Sequence, residues 1–235
     1  MAELTYEIGQ KIKSFRQKKN MTVQELADAI CKSKATVSKY ESGHITIDIV
    51  TLYDISKTLG IHVEQLLHCE STRDQLDTSD IKPSFFKGLS RFYAYMFDGR
   101  SNSLNRCVVD ILSKNDNNQY KVMMYMNIDC YEKYQKCENT YWGYIKHFDA
   151  LTNIILYNQD TPMEQITICI LASYLDSPTK WGLFFGVSSR PLMPVATKIL
   201  LSKKILPETP ELIKTLHISK EDIRILKMYN MMTVT

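Results

Sequence analysis

The apolar residues of this chain change period partway along, and that change constrains the fold more than any other feature. From Leu4 to about Leu67 they recur every three or four residues, the spacing that lays a stripe along one face of an α-helix. Beyond residue 85 the chain breaks into short runs rich in Val, Ile, Thr and aromatics: FYAYMF, RCVVDIL, YKVMMYMNI, YWGYIKHF, LTNIILYN, EQITICILA, WGLFFGV and ATKILL. Polar segments such as SKNDNNQ and NQDTPM separate them. Strands at such regular spacing predict an antiparallel sheet curled into a barrel or a sandwich. Between the two regimes CESTRDQLDTSDIKPS keeps neither period and has the composition of a linker. The expected fold class is therefore α+β. An all-α unit occupies 1–68, a linker 69–84, and a mainly antiparallel β unit with C-terminal helices 85–235.

The helical part carries its own punctuation. Ile8, Ile12 and Phe15 line one face of a first helix. Thr22 and Glu25 have capping-box spacing, in which hydroxyl and carboxylate each take an orphan backbone N–H. They open a second helix with Leu26, Ala27 and Ile30 inside. Ser33 caps a third, with Val37 and Tyr40 inside and Gly43 at its end. Asp48 caps a fourth, stopped by Gly60, and VEQLL makes a short fifth. Near the C-terminus, Thr209 before Pro210 and Ser219 three residues before Asp222 mark two more helix starts.

Composition is ordinary for a folded chain, 44 % hydrophobic and 23 % charged, which excludes wholesale disorder. The longest apolar run, ITICILASYL, is too short to cross a bilayer. The first ten residues lack a basic-then-apolar leader pattern. A cytoplasmic protein without a membrane partner is expected. Six cysteines lie scattered at 31, 69, 107, 130, 137 and 169, with no CxxC pair and no His at zinc spacing. They read as buried or free thiols; a redox pair of Cys130 and Cys137 has only Lys121, Lys133 and Lys136 nearby in sequence to activate it. No metal and no cofactor are expected.

Charge is unevenly spread. Residues 1–40 carry eight Lys and Arg against four Asp and Glu, a bias that suits a polyanionic partner. The third helix carries a polar outward face of Lys34, Ala35, Thr36, Ser38 and Lys39. A helix of this kind fits the DNA major groove, where its N-terminal residues meet base edges. Ala35 permits close approach, and the hydroxyls suit phosphate oxygens.

Residues 4–68 resemble the Cro/C1-type (XRE family) helix-turn-helix domain through MTVQELADAICKSKATVSKYESG, LYDISKTLGI and VEQLL. The resemblance covers a little over a quarter of the chain. It implies a sequence-specific transcriptional regulator, a repressor acting as a homodimer on a double-stranded operator. Lys34, Ala35 and Lys39 become the base-facing positions, with Thr36 and Ser38 as backbone or supporting contacts. Thr22, Ser33, Gly43 and His44 complete the DNA-binding set, the Ser42–His44 loop acting as a phosphate clamp. The sequence departs from the family pattern in three places. Cys31 stands where Gly is usual, because that turn residue adopts φ > 0, at a cost of about 1 kcal/mol. Lys32 replaces a common Val, and Val23 replaces a phosphate-contacting Gln, leaving Gln24 or Thr22 to substitute.

The β-rich half has no such resemblance. Its aromatics Tyr93, Tyr95, Tyr125, Trp142, Tyr144, Trp181 and Phe185 are the residues to wall a cavity for a small-molecule effector. Tyr93, Tyr95, Trp142 and Trp181 are the chosen ligand-site candidates. The competing readings are an ordinary core in a dimerisation or protein-effector module, and an antitoxin-like interaction protein. A self-cleaving repressor would need the serine in GVSSRP, Ser188, but neither a serine-loop consensus nor an Ala-Gly scissile pair accompanies it. His147 and Asp149 lack a third catalytic partner and read as a surface turn. No catalytic residue is assigned, and the chain is not expected to be an enzyme.

Overall fold

The computed structural model describes residues 2–67, 83–114, 119–161, 163–172, 176–189 and 192–234. The linker expected over 69–84 lies outside them up to residue 82. Five helices come first: α1 (Ala2–Lys18), α2 (Val23–Ala29), α3 (Lys34–Glu41), α4 (Ile49–Leu59) and α5 (Val63–Leu67). The strands are β1 (Arg91–Asp98), β2 (Ser103–Lys114), β3 (Tyr120–Ile128), β4 (Cys137–His147), β5 (Leu151–Asn158), β6 (Gln165–Leu171), β7 (Thr179–Ser189) and β8 (Leu192–Ser202). Two helices follow, α6 (Pro210–Leu216) and α7 (Lys220–Tyr229). The chain divides into two compact units. One holds the five N-terminal helices and the segment Cys130–Lys136; the other holds the strands and the C-terminal helices. The Cys130–Lys136 segment thus groups with the helices although it lies within the stretch expected to be the β unit. Among the described residues no helix is long and apolar enough to cross a membrane.

The helices begin where the sequence places their caps. Thr22, Ser33, Asp48, Thr209 and Ser219 each accept a backbone N–H from the residue three positions on. The helix ends share one device. At Asn20, Cys31, Gly43 and Gly60 the backbone turns left-handed, with φ of 55°, 53°, 72° and 69°. In each case that residue's N–H and the next one's reach back to the last turn, as in Lys32 N to Ala27 O at 2.9 Å and His44 N to Lys39 O at 2.9 Å. This is the Schellman arrangement, which satisfies carbonyls the helix leaves open. Ile12, Leu26, Ala27, Val37, Ile55 and Leu66 are fully buried and form the helical core.

The eight runs of the β half become eight strands in one closed antiparallel barrel, each paired with its sequence neighbour and β1 with β8. Closure joins the two outer strands through Tyr93, Ala94 and Tyr95 against Ser202, Leu201 and Leu200, where a sandwich would leave both edges open. The inward positions, such as Phe92 and Ala94 on β1, Val109 on β2, Met124 on β3, Ile154 on β5 and Leu201 on β8, form one continuous apolar core. A short 3-10 turn, Ser84–Phe86, adds Phe85 and Phe86 to that core. Their rings meet each other edge-on at 4.9 Å, and Phe86 meets Phe92 at 5.7 Å. The segment after β8 runs across the outside of β1. Leu206 N–H donates to the Tyr95 hydroxyl (2.9 Å), Arg106 pairs with Glu208, and His217 stacks on Phe97 at 3.8 Å.

Candidate nucleic-acid interface

The α2–turn–α3 element is fixed from both ends. Thr22 Oγ1 accepts from Glu25 N (3.2 Å), while Glu25 Oε2 accepts from Thr22 N (2.7 Å) and from the Thr22 hydroxyl (2.9 Å). The Thr22 backbone N–H, then its hydroxyl, hold the Glu25 carboxyl below its ordinary pKa. Ala27 is fully buried, so α2 passes close to α3. Cys31 then turns the chain in the left-handed region, with its side chain exposed. The sequence anticipates both the glycine-like conformation and the non-glycine residue.

Ser33 Oγ accepts from Thr36 N at 3.1 Å and lies 2.8 Å from Thr36 Oγ1. Thr36 is half-buried and its hydroxyl belongs to the cap, which suits the supporting role expected of it. Lys34, Ala35, Ser38 and Lys39 are exposed, and Val37 and Tyr40 are buried. Lys34 and Lys39 have no carboxylate partner among the described residues. Other lysines of the basic N-terminal stretch are engaged: Lys19 donates to Thr58 O (2.7 Å) and Lys11 to Gln65 O (3.4 Å). Gln24, a possible substitute for the family's phosphate-contacting Gln, has its amide on Asp28 Oδ1 at 2.7 Å. Thr22 remains exposed. Asp48 lies below its ordinary pKa through the Thr51 hydroxyl and N–H, with a smaller contribution from the charge of Lys32.

Beyond α3, the Ser42 hydroxyl donates to Ser38 O (2.9 Å), and His44 Nδ1 lies 2.6 Å from Ser42 Oγ. Gly43 is required twice over. Its φ is left-handed, and a Cβ there would stand 2.6 Å from the Tyr6 Cα. The α1–α3 contact also holds a pair that periodicity does not single out. Arg16 and Glu41 are both buried and joined by two hydrogen bonds, at 2.5 and 2.9 Å. Arg16 Nη1 donates further to Met21 O at 2.7 Å. The sequence signal was available: Arg16 follows Phe15 on the apolar stripe, and Glu41 follows Tyr40. Together these contacts hold α3 on α1 with its lysine-bearing face outward.

The aromatic ligand candidates do not converge. Strand alternation places Phe92, Ala94 and Met96 inward, so Tyr93 and Tyr95 point out of the barrel. The register carries the same outward face to Trp142 on β4 and Trp181 on β7. Tyr95 is covered by the segment at Leu206. Trp142 packs on Tyr157 (5.5 Å) and Tyr144 (6.1 Å), and Trp181 lies under Lys198 Nζ at 5.4 Å. The barrel interior is occupied by apolar side chains instead. His147, expected in a surface turn, is half-buried at the end of β4, 4.9 Å from the Phe86 ring and 2.9 Å from Thr152 Oγ1. Ser188 pairs with Met193 in the β7–β8 hairpin, and its side chain lies outside those described. Cys31, Cys107, Cys130, Cys137 and Cys169 are free thiols. Burial raises the Cys107 thiol to about 12. Among the described residues no three His, Cys, Asp or Glu side chains gather to hold a metal.

The helix-turn-helix family profile (HTH_3) matches residues 12–66. Among solved structures, the clp gene regulator ClgR from Corynebacterium glutamicum is 31 % identical, over 27 % of this chain and 68 % of its own, with a TM-score of 0.27. The restriction-modification controller protein C.AhdI from Aeromonas hydrophila is 23 % identical over 28 % of this chain and 98 % of its own, TM-score 0.27. A longer alignment, 84 % of this chain and 90 % of the other at 12 % identity and a TM-score of 0.28, is to cobalt(II) HppE in complex with Tris. No curated protein matches the chain.

Proposed function

We infer that this chain, which belongs through residues 12–66 to the Cro/C1-type helix-turn-helix family, is a sequence-specific DNA-binding transcriptional regulator. It acts as a cytoplasmic homodimer and represses by occupying its operator. The carrying observation is the outward face of α3, where Lys34, Ala35, Ser38 and Lys39 stand exposed on a helix capped at both ends. The two ammonium groups donate to guanine O6/N7 or to phosphate, and Ala35 lets the helix approach the groove floor. Thr22, Ser33 and the Ser42–His44 loop serve the flanking phosphates. One such helix reads only a few base pairs, so two copies engage half-sites about 34 Å apart. The barrel is the oligomerisation domain. The continuous apolar core of its interior favours that role over an effector cavity and over a catalytic one.

Binding of the full chain to a mapped operator duplex, measured across a salt series, tests the reading. Lys34→Ala with Lys39→Ala is expected to weaken specific binding roughly 30- to 1,000-fold and to flatten the salt slope by about two. Equal affinity for operator and unrelated duplex would refute it.

A further inference from the structure

Two apolar surfaces of the barrel unit stand next to each other, both uncovered. The first is the outer face of β5–β7. Ile155, Thr167 and Phe185 lie side by side across the three strands. Ile155, Phe185 and Val187 keep 37, 40 and 38 % of their surface exposed. The second is α7. It opens on the Ser219–Asp222 capping box and closes on left-handed Asn230, yet none of its side chains is buried. Leu226 and Tyr229, one turn apart, are 43 and 58 % exposed. A ten-residue helix is too short to persist in water without packing. Asp222 ties its first turn to Lys198 on β8 at 2.9 Å, and Lys198 pairs with Leu183 of β7. The helix therefore starts at the border of the exposed sheet face.

We propose that a second copy of this chain docks here, the α7 of each copy lying across the outer β5–β7 face of the other about a two-fold axis. A helix laid on a sheet is the ordinary way both surfaces are buried. Because one chain carries both halves, the same contact made twice closes the dimer. A helix face about 15 Å long covers roughly 500–700 Å² with its sheet, and two-fold repetition gives roughly 1,000–1,400 Å², near the size of a stable interface. The row from Ile155 to Phe185 carries no charge that would be stranded by burial. This arrangement supplies the dimer that the regulator reading requires, but it does not depend on DNA.

Sedimentation velocity of the full chain at about 20 µM, without DNA, tests it. The wild type is expected at twice the chain mass. Phe185→Glu and Leu226→Glu, both at exposed positions, are each expected to run as monomers that keep the near-UV circular dichroism of the folded barrel and lose no more far-UV helical signal than α7 supplies. Mixing the two variants restores a fraction of dimer, because one helix–sheet contact then joins two intact halves. A monomeric wild type, or either variant remaining dimeric, overturns the proposal. A mixture that stays monomeric overturns the exchange of helices. Failure of the duplex-binding experiment would leave all these outcomes unchanged, so the two readings fail separately.

Discussion

Arg16 holds Glu41 through two hydrogen bonds inside the helical unit, tying α1 to the end of α3. The hydrogen bond to Glu41 raises the guanidinium pKa, so Arg16 keeps its charge in the buried site. Removing one member strands the other in a buried site. Arg16→Met or Glu41→Leu alone is expected to lower stability by about 3–5 kcal/mol, and the double substitution by less than either. Urea unfolding of the three variants measures the difference.

Cys31 and Gly43 occupy the same backbone conformation at the two ends of one functional element, yet respond oppositely to substitution. Cys31 is exposed and keeps only the left-handed strain. Cys31→Gly relieves it and is expected to stabilise the chain by roughly 0.5–1 kcal/mol while retaining duplex affinity. A lowered denaturation midpoint would contradict this.

Gly43→Ala meets strain and a backbone atom together. A loss of roughly 2–4 kcal/mol is expected. Duplex binding should fall with it, because the contact displaced is the one seating α3 on α1. Comparing melting temperatures of the Cys31→Gly and Gly43→Ala chains checks the opposite signs.

Asp98 gives a pH signature. The Arg100 side chain, against a smaller opposing effect of burial, holds its carboxyl at about 2, where 3.8 is ordinary. A lowered folded-state pKa means the contribution is complete above about pH 4 and fades as pH falls towards 2. The stability gap between wild type and Asp98→Asn is therefore expected to close over that interval. Asp98 is half-buried and its partner Arg100 is exposed, so the gap is small, and added salt narrows it.

Phe86 fills the core from outside the strand sequence, against Phe85, Phe92 and His147. Phe86→Ala is expected to cost about 3–5 kcal/mol. Thermal unfolding followed by near-UV circular dichroism reads the loss.

Sequence patterns reveal local structure here far better than they reveal facing. Thr22, Ser33, Asp48, Thr209 and Ser219 are legible because a cap and the turn it opens are three residues apart. Each of the eight apolar runs becomes a strand for the same reason. Which face of a strand turns inward is illegible, since Phe92-Tyr93-Ala94-Tyr95-Met96 is apolar on both sides and its period of two has no polar phase. That is why Tyr93, Tyr95, Trp142 and Trp181 read as cavity walls when all four point outward. The choice of Glu41 as the partner of Arg16, and the entry of Phe85 and Phe86 into the barrel core, depend on long-range packing that no local spacing encodes.

The pairing of β1 with β8 also sets how the barrel yields to force. Tyr93, Ala94 and Tyr95 pair with Ser202, Leu201 and Leu200, so the start of β1 and the end of β8 meet at one rim. Tension between the chain's two ends therefore peels this seam open one hydrogen bond at a time, instead of loading all its bonds together in shear. Single-molecule pulling from the termini is expected to open this seam at low force.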